Sequence, residues 1–274
     1  MQPANRKPAG KDRKPRTYDP ARVRKALVAQ VESVADAAHR LPADQRSLPS
    51  GLPGWDVHHL LVHIALQIDA VPRTLSGPEA RAKAPEVSLS GWVLGNADFA
   101  AEQDEETRTE AARWPDGAEL IDRAVADLEP VIEAAVSEEL LVPRAMGAMR
   151  MLDFTLTRLV ELVVHSDDLA RATGLRVGLD RQALATTVRM LADALAVRAP
   201  GGAVEVRVPP FAVVQAVEGP RHTRGTPPNV VETDPLTWIR LATGRTSWAQ
   251  VRENAQLTAS GERADLSGWL PVLR

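Results

Sequence analysis

Leu27, Val31, Val34, Ala38 and Leu41 recur every three or four residues, the spacing that lines one face of an α-helix. Asp19 and Pro20 stand ahead of the run as an N-cap and a first helical position, and Pro42 closes it. A loop dense in turn residues follows, Leu48-Pro49-Ser50-Gly51-Leu52-Pro53-Gly54. Asp56 then caps a second predicted helix, with Val57, Leu60, Leu61, Ile64 and Ile68 as its apolar face. Residues 72–115 are less regular, with helix expected around 91–112. Asp116, with Glu119 three residues on, opens a third helix in the manner of a capping box. Its stripe of Leu120, Ala124, Leu128, Ile132 and Ala135 runs through Pro130, where a kink is expected. A fourth long helix is predicted from about Asp153 to Ala172, stopped by Gly174.

Beyond Gly174 the period changes. A helix near 180–198 carries Leu184, Val188, Leu191 and Leu195, and Pro200-Gly201-Gly202 breaks it. Val204, Val206 and Val208 alternate with Glu205 and Arg207, a strand pattern. Further strands are expected at Phe211–Val217, Val230–Glu232 and Leu257–Ala259. Asp234-Pro235 caps a helix that Gly244 ends, and a last helix is read through Leu266, Trp269 and Leu270. The pattern predicts an α+β protein: a basic, disordered tail at 1–18, a four-helix bundle over 19–175 and a small α+β domain over 176–274.

Composition narrows the function. The chain has no cysteine, so disulfides, thiolate metal sites and an internal thiol nucleophile are excluded, and any thiol chemistry must use a thiol from outside. Aromatic residues make up 4% and the net charge is −3, which argues against a nucleic-acid surface. No apolar run is long enough for a membrane span, and the charged N-terminus does not read as a secretory signal, so a cytoplasmic protein is expected. Residues 1–25 hold nine Lys or Arg against two Asp or Glu, and a solvated, solubilising extension accounts for them.

Candidate chemistry gathers on two helices. Glu161 and His165 are four residues apart on the fourth, one turn apart on one face. His63 lies mid-helix on the second, after His58 and His59. Spacing alone leaves two readings: a hydrogen-bonded pair beside a core histidine, or two His and one Glu forming the three-ligand set of a catalytic zinc with one position open. Arg158 can pair with Glu161 on the helix face, and Asp168 can hold an imidazole.

Leu52-Pro53-Gly54-Trp55-Asp56-Val57-His58-His59-Leu60-Leu61-Val62-His63 resembles an actinobacterial P-G-W-x-V opening with a His eight residues after the Trp. Arg158-x-x-Glu161-x-x-x-His165-x-x-Asp168-Leu169-Ala170, with Gly174 following, resembles the matching second motif. Together they resemble the mycothiol-dependent maleylpyruvate isomerase family, within the DinB-like bundles. The resemblance implies a divalent metal, usually zinc, held by His63, Glu161 and His165, with Asp168, Arg158 and His59 around them, and mycothiol or a similar thiol as cosubstrate. Asp234-Pro235-Leu236-Thr237-Trp238, Leu241-Ala242, Gly244-Arg245 and Leu257-x-Ala259-x-Gly261-x-x-Ala264-Asp265-Leu266 are similar to sterol-carrier-type domains, which many members of that family carry. The family's isomerase places a C-terminal arginine near the metal, which implies a catalytic role for Arg245 or Arg240. The expected activity is that of a thiol-dependent isomerase or S-transferase acting on an electrophilic small molecule. A sterol-carrier-like binder of apolar ligands is the alternative.

Overall fold

Asp19 accepts a hydrogen bond from the Arg22 N–H at 2.9 Å and starts α1 (Pro20–Arg40), as its sequence position predicts. The structure is a computed structural model that describes residues 15–223, 225 and 227–273. Most of the expected tail, residues 1–14, lies outside the described residues. Arg16 donates to Asp193 at 2.7 Å, and Tyr18 packs against the core.

Asp56 caps α2 (Val57–Leu75), accepting from the His59 N–H at 2.9 Å. The predicted apolar face of α2 is buried throughout. The irregular stretch resolves into α3 (Leu89–Gly95), a 3-10 turn over Asn96–Phe99 and α4 (Ala100–Arg113). α4 is almost wholly polar, and Thr107 is its one buried residue. Asp116 caps α5 (Gly117–Leu128) through the Ala118 N–H.

At Pro130 the expected kink is instead a break. α5 ends at Leu128, and 3-10 turns over Glu129–Val131 and Ala134–Val136 carry the chain on. Pro130 has no N–H to give, and its ring crowds the carbonyl four residues back. A hairpin that the sequence pattern did not suggest follows, β1 (Leu141–Arg144) paired antiparallel with β2 (Gly147–Arg150). Its strands are four residues long and lack a clear alternation.

Helix α6 (Met151–Thr173) is the axis of the bundle. Every residue from Phe154 to Leu169 is buried, because α1 and α2 pack against it, with α5 closing the bundle on α1 and α2. Its C-terminal Gly174 has φ +74°, and nothing lies within 4 Å of where a Cβ would stand. Gly174→Ala is therefore expected to cost only the left-handed backbone penalty, roughly 1–2 kcal/mol. Chemical denaturation checks this, and an unchanged midpoint would contradict it.

α7 (Arg181–Arg198) is the seam between the two parts of the chain. It packs on α1, α3 and α6 on one side and on the sheet and α8 on the other. The sheet has the order β4-β3-β5-β6, from β3 (Val204–Val208), β4 (Ala212–Ala216), β5 (Val230–Thr233) and β6 (Leu257–Ser260). β3 runs antiparallel to β4 and parallel to β5. Val204, Val206 and Val208 point into the core, as their alternation predicts. α8 (Pro235–Ala242) starts at Asp234 and crosses over from β5, followed by α9 (Trp248–Glu253), which the pattern did not suggest. The expected last helix is a correction: only a 3-10 turn forms, over Ser267–Trp269. Gly268 weakens helix there and Pro271 forbids its continuation. Among the described residues, no helix is long and apolar enough to cross a membrane.

Candidate metal centre

Packing α2 against α6 brings three side chains together. His63 comes from α2, and Glu161 and His165 from successive turns of α6; all are at least 94% buried. One ligand atom from each lies within 4.8 Å of the others. The two imidazoles stand nearly perpendicular, with centroids 4.8 Å apart.

Neighbours fix the tautomers. Thr107 Oγ1 donates to the Gln103 carbonyl at 2.7 Å, so it can only accept from His63 Nδ1–H, 3.1 Å away. The Nε2 lone pair of His63 then faces the cluster, where it accepts from Gln67 Nε2 at 3.2 Å. His165 Nδ1–H donates to Asp168 Oδ2 at 3.0 Å, and its Nε2 lies 3.3 Å from Glu161 Oε2. Such a backing hydrogen bond orients an imidazole and raises its basicity as a ligand. Arg245 in turn donates to Asp168 Oδ2 at 2.9 Å. Trp55 packs against His63 with centroids 4.9 Å apart and is itself held by Asp104 through Nε1–H.

The electrostatics agree with this wiring. Burial, then the charge of His165, pushes the His63 imidazole down to about 3, so it is neutral. Burial also opposes a charged His165, but the hydrogen bonds to Asp168 and Glu161 outweigh it and raise its pKa. Burial alone would raise Glu161 and Asp168. The His165 contact, with Arg158 for Glu161 and Arg245 for Asp168, instead holds each at about 2. The site therefore presents ionised carboxylate and imidazole nitrogen with no thiolate, a donor set suited to a divalent metal such as zinc.

One atom tests the fit. Glu161 Oε1 is buried and has no hydrogen-bond partner. A buried carboxylate oxygen left so is costly unless something else meets it. A cation between His63, Glu161 and His165 would satisfy that oxygen and take the place of the proton between His165 and Glu161. Asp168→Asn removes the charge behind His165 and is expected to weaken metal binding by roughly 10–100-fold. Competition with a metallochromic indicator measures this, and unchanged affinity would show that Asp168 does not act on His165.

The remaining sequence candidates divide. Arg240 forms a bidentate pair with Asp167 at 2.6 and 2.7 Å, whereas Arg245 reaches the cluster through Asp168. His59 is bound to its own cap, Asp56, at 2.6 Å, and His58 meets the Ala111 carbonyl at 3.2 Å. Arg158, expected on Glu161, instead donates Nε–H to Thr157 at 3.0 Å and Nη1–H to Gln67. Gln67 Nε2 donates to His63 Nε2 at 3.2 Å. Sequence reasoning missed Gln67, Thr107 and Asp167. Gln67 stands four residues after His63, a spacing that marks one helix face. Thr107 sits in a helix without an apolar stripe, and no pattern signals it.

Residues 27–170 match the family described as mycothiol maleylpyruvate isomerase N-terminal domain, and residues 180–272 match a family described as bacterial SCP ortholog. No curated protein matches the chain. A crystal structure of a mycothiol-dependent maleylpyruvate isomerase is similar, with a TM-score of 0.59 and 16% identity, covering 90% of this chain and 95% of that one. A histidine-to-alanine mutant of the mycothiol-dependent maleylpyruvate isomerase gives the same TM-score and coverage at 15% identity. The shared fold is the α+β one expected from the sequence, a helical bundle followed by an SCP-like sheet domain.

Proposed function

Since the chain belongs to the mycothiol maleylpyruvate isomerase family, we propose that it is a metal-dependent enzyme that uses mycothiol or a similar small thiol on an electrophilic small molecule. The observation that carries this is the buried His63, Glu161 and His165 cluster with its unpartnered carboxylate oxygen. These three residues would hold the cation, with zinc the metal their chemistry favours. When bound with a position open, such a cation lowers the pKa of a thiol beside it, and thiolate is the reactive form.

The protein's own side chains prepare for that chemistry. Thr107 keeps the His63 proton on Nδ1 and away from the cluster. Asp168 holds His165 in the matching tautomer, and Arg245 holds Asp168 ionised. Arg245 comes from the loop after α8, so the C-terminal part of the chain completes the support of a bundle site. A freed Arg245 guanidinium could also take a substrate carboxylate, which is the catalytic role proposed for it; Arg240, bound at two points to Asp167, is the weaker choice.

Thiol addition to a conjugated cis double bond, followed by rotation and elimination, would give isomerisation. Retention of the adduct would give S-transfer. Both begin with the same step, so thiol loss against cis-enone electrophiles tests the shared reading. Zinc-loaded protein is expected to consume thiol or isomerise substrate at a rate proportional to enzyme, and chelator-stripped protein is not. Equal rates with and without metal would remove the proposal.

A further inference from the structure

Gln67 stands one turn after His63 on α2 and is 5% exposed. Its amide has an acceptor end and a donor end, and the neighbours settle which faces where. Arg158 carries donors only. Its Nη1–H meets Gln67 Oε1, which leaves the amide nitrogen toward the cluster. That nitrogen donates to His63 Nε2 at 3.2 Å, the ring position that Thr107 keeps free of a proton. Turning the amide over would set its oxygen against the His63 lone pair and its N–H groups against the guanidinium. Both contacts are repulsive and costly in a buried place. Arg158 is itself held by the Thr157 hydroxyl and by the Phe154 and Trp92 rings, 5.1 and 5.6 Å from its central carbon, so the amide keeps its orientation.

That orientation sets what the cluster offers. With its oxygen inward, Gln67 would be a fourth protein ligand beside two imidazoles and a carboxylate, the closed set of a structural metal site. With its nitrogen inward, the cluster keeps three ligands and gains a hydrogen-bond donor. A cation held by His63 takes the Nε2 lone pair that Gln67 uses. The amide N–H then needs another acceptor, since a buried donor left unmet is costly. An anion in the fourth position beside the cation supplies one.

We propose that Gln67 donates its amide N–H to the anion in that fourth position, the thiolate of the cosubstrate. This rests on the reading of the cluster as a metal site. It makes the position beside the metal prefer an anionic ligand over a neutral one.

The test uses full-length protein loaded with cobalt(II) in place of zinc, whose visible absorption reports ligands added at the metal. It is titrated with azide, an anion that accepts hydrogen bonds, and with imidazole, a neutral ligand that has no lone pair left once bound. Wild type is expected to bind both. Gln67→Leu removes the donor; Gln67→Met does so while keeping the length of the side chain, and decides should the leucine variant not fold. Each is expected to hold cobalt at least as tightly as wild type and to bind imidazole unchanged. Azide is expected to bind roughly 10-fold more weakly, or worse, the usual loss when a charged group gives up one hydrogen bond. A folded, cobalt-loaded variant that binds azide as wild type does overturns the proposal. So does one that loses azide and imidazole alike, or cobalt itself, since Gln67 would then only shape the site. Cobalt-loaded wild type that binds no azide overturns it as well. Wild type that takes up no cobalt removes the proposal together with the reading of the cluster, whereas the other outcomes leave that reading standing.

Discussion

Glu161→Gln is expected to weaken divalent-metal binding by more than about 100-fold while leaving the chain folded. Loss of a carboxylate one shell beyond a ligand already costs roughly 10–100-fold, and Glu161 is itself the one anionic ligand offered by the cluster. Glutamine has nearly the same shape, so the α2–α6 packing around it is kept. What it lacks is the charge that draws in a cation and lowers the cost of displacing the proton between His165 and Glu161. His165 still has Asp168 at 3.0 Å, so its ring stays oriented. Indicator competition gives the affinity and circular dichroism the fold. An affinity within a few-fold of wild type would mean that the metal, if bound, sits elsewhere.

Trp238→Ala is expected to destabilise the protein by about 3–5 kcal/mol, the usual cost of removing a fully buried large aromatic side chain. Trp238 is 1% exposed and lies on α8, with its indole N–H directed to the Val188 carbonyl of α7 at 3.3 Å. Among the described residues it is the largest side chain buried to this extent, and it joins the sheet domain to the seam helix. α8 also carries Arg240, and Arg245 follows it, so loosening this helix slackens both arginine contacts to Asp167 and Asp168. Urea denaturation measures the loss, and a change below about 1 kcal/mol would show that α8 is held mainly by other contacts.

The long helices were legible because their ends carry their own chemistry. Asp19, Asp56 and Asp116 each accept backbone N–H bonds as N-caps, and Gly174 takes the left-handed conformation that ends α6. β3 was legible from valines at alternate positions, and the other strands of the C-terminal domain from short apolar runs. What failed to show were short elements set by their surroundings. β1 and β2 pair over four residues each, and β2 leads directly into α6, against which it packs. α9 has one buried residue, Val251, too few for a stripe. Pro130 was read as a kink where it is a terminus, because the apolar spacing ran on into 3-10 turns.

The candidate site was legible to the same degree. His63, Glu161 and His165 stand out as ligand types on two helices, and the fold brings them within reach of one another. Asp168 was visible at three residues from His165 and does hold that ring. The support from outside these helices was not visible. Thr107 reaches His63 across 44 residues of sequence, and Arg245 reaches Asp168 across 77. Such contacts depend on how α4 and α8 dock, which no local spacing encodes. Helical spacing let Arg158 pair with Glu161; its hydrogen bond goes to Gln67 and its face to the aromatic rings, while its charge still acts on Glu161.

One divalent cation is expected to bind between His63, Glu161 and His165. Native mass spectrometry of protein purified without chelator, and again after dialysis against zinc, tests it most directly. One metal per chain is expected in wild type and none in His63→Ala or Glu161→Gln. Wild-type protein that stays metal-free in excess zinc, or variants that keep a full equivalent, would contradict it.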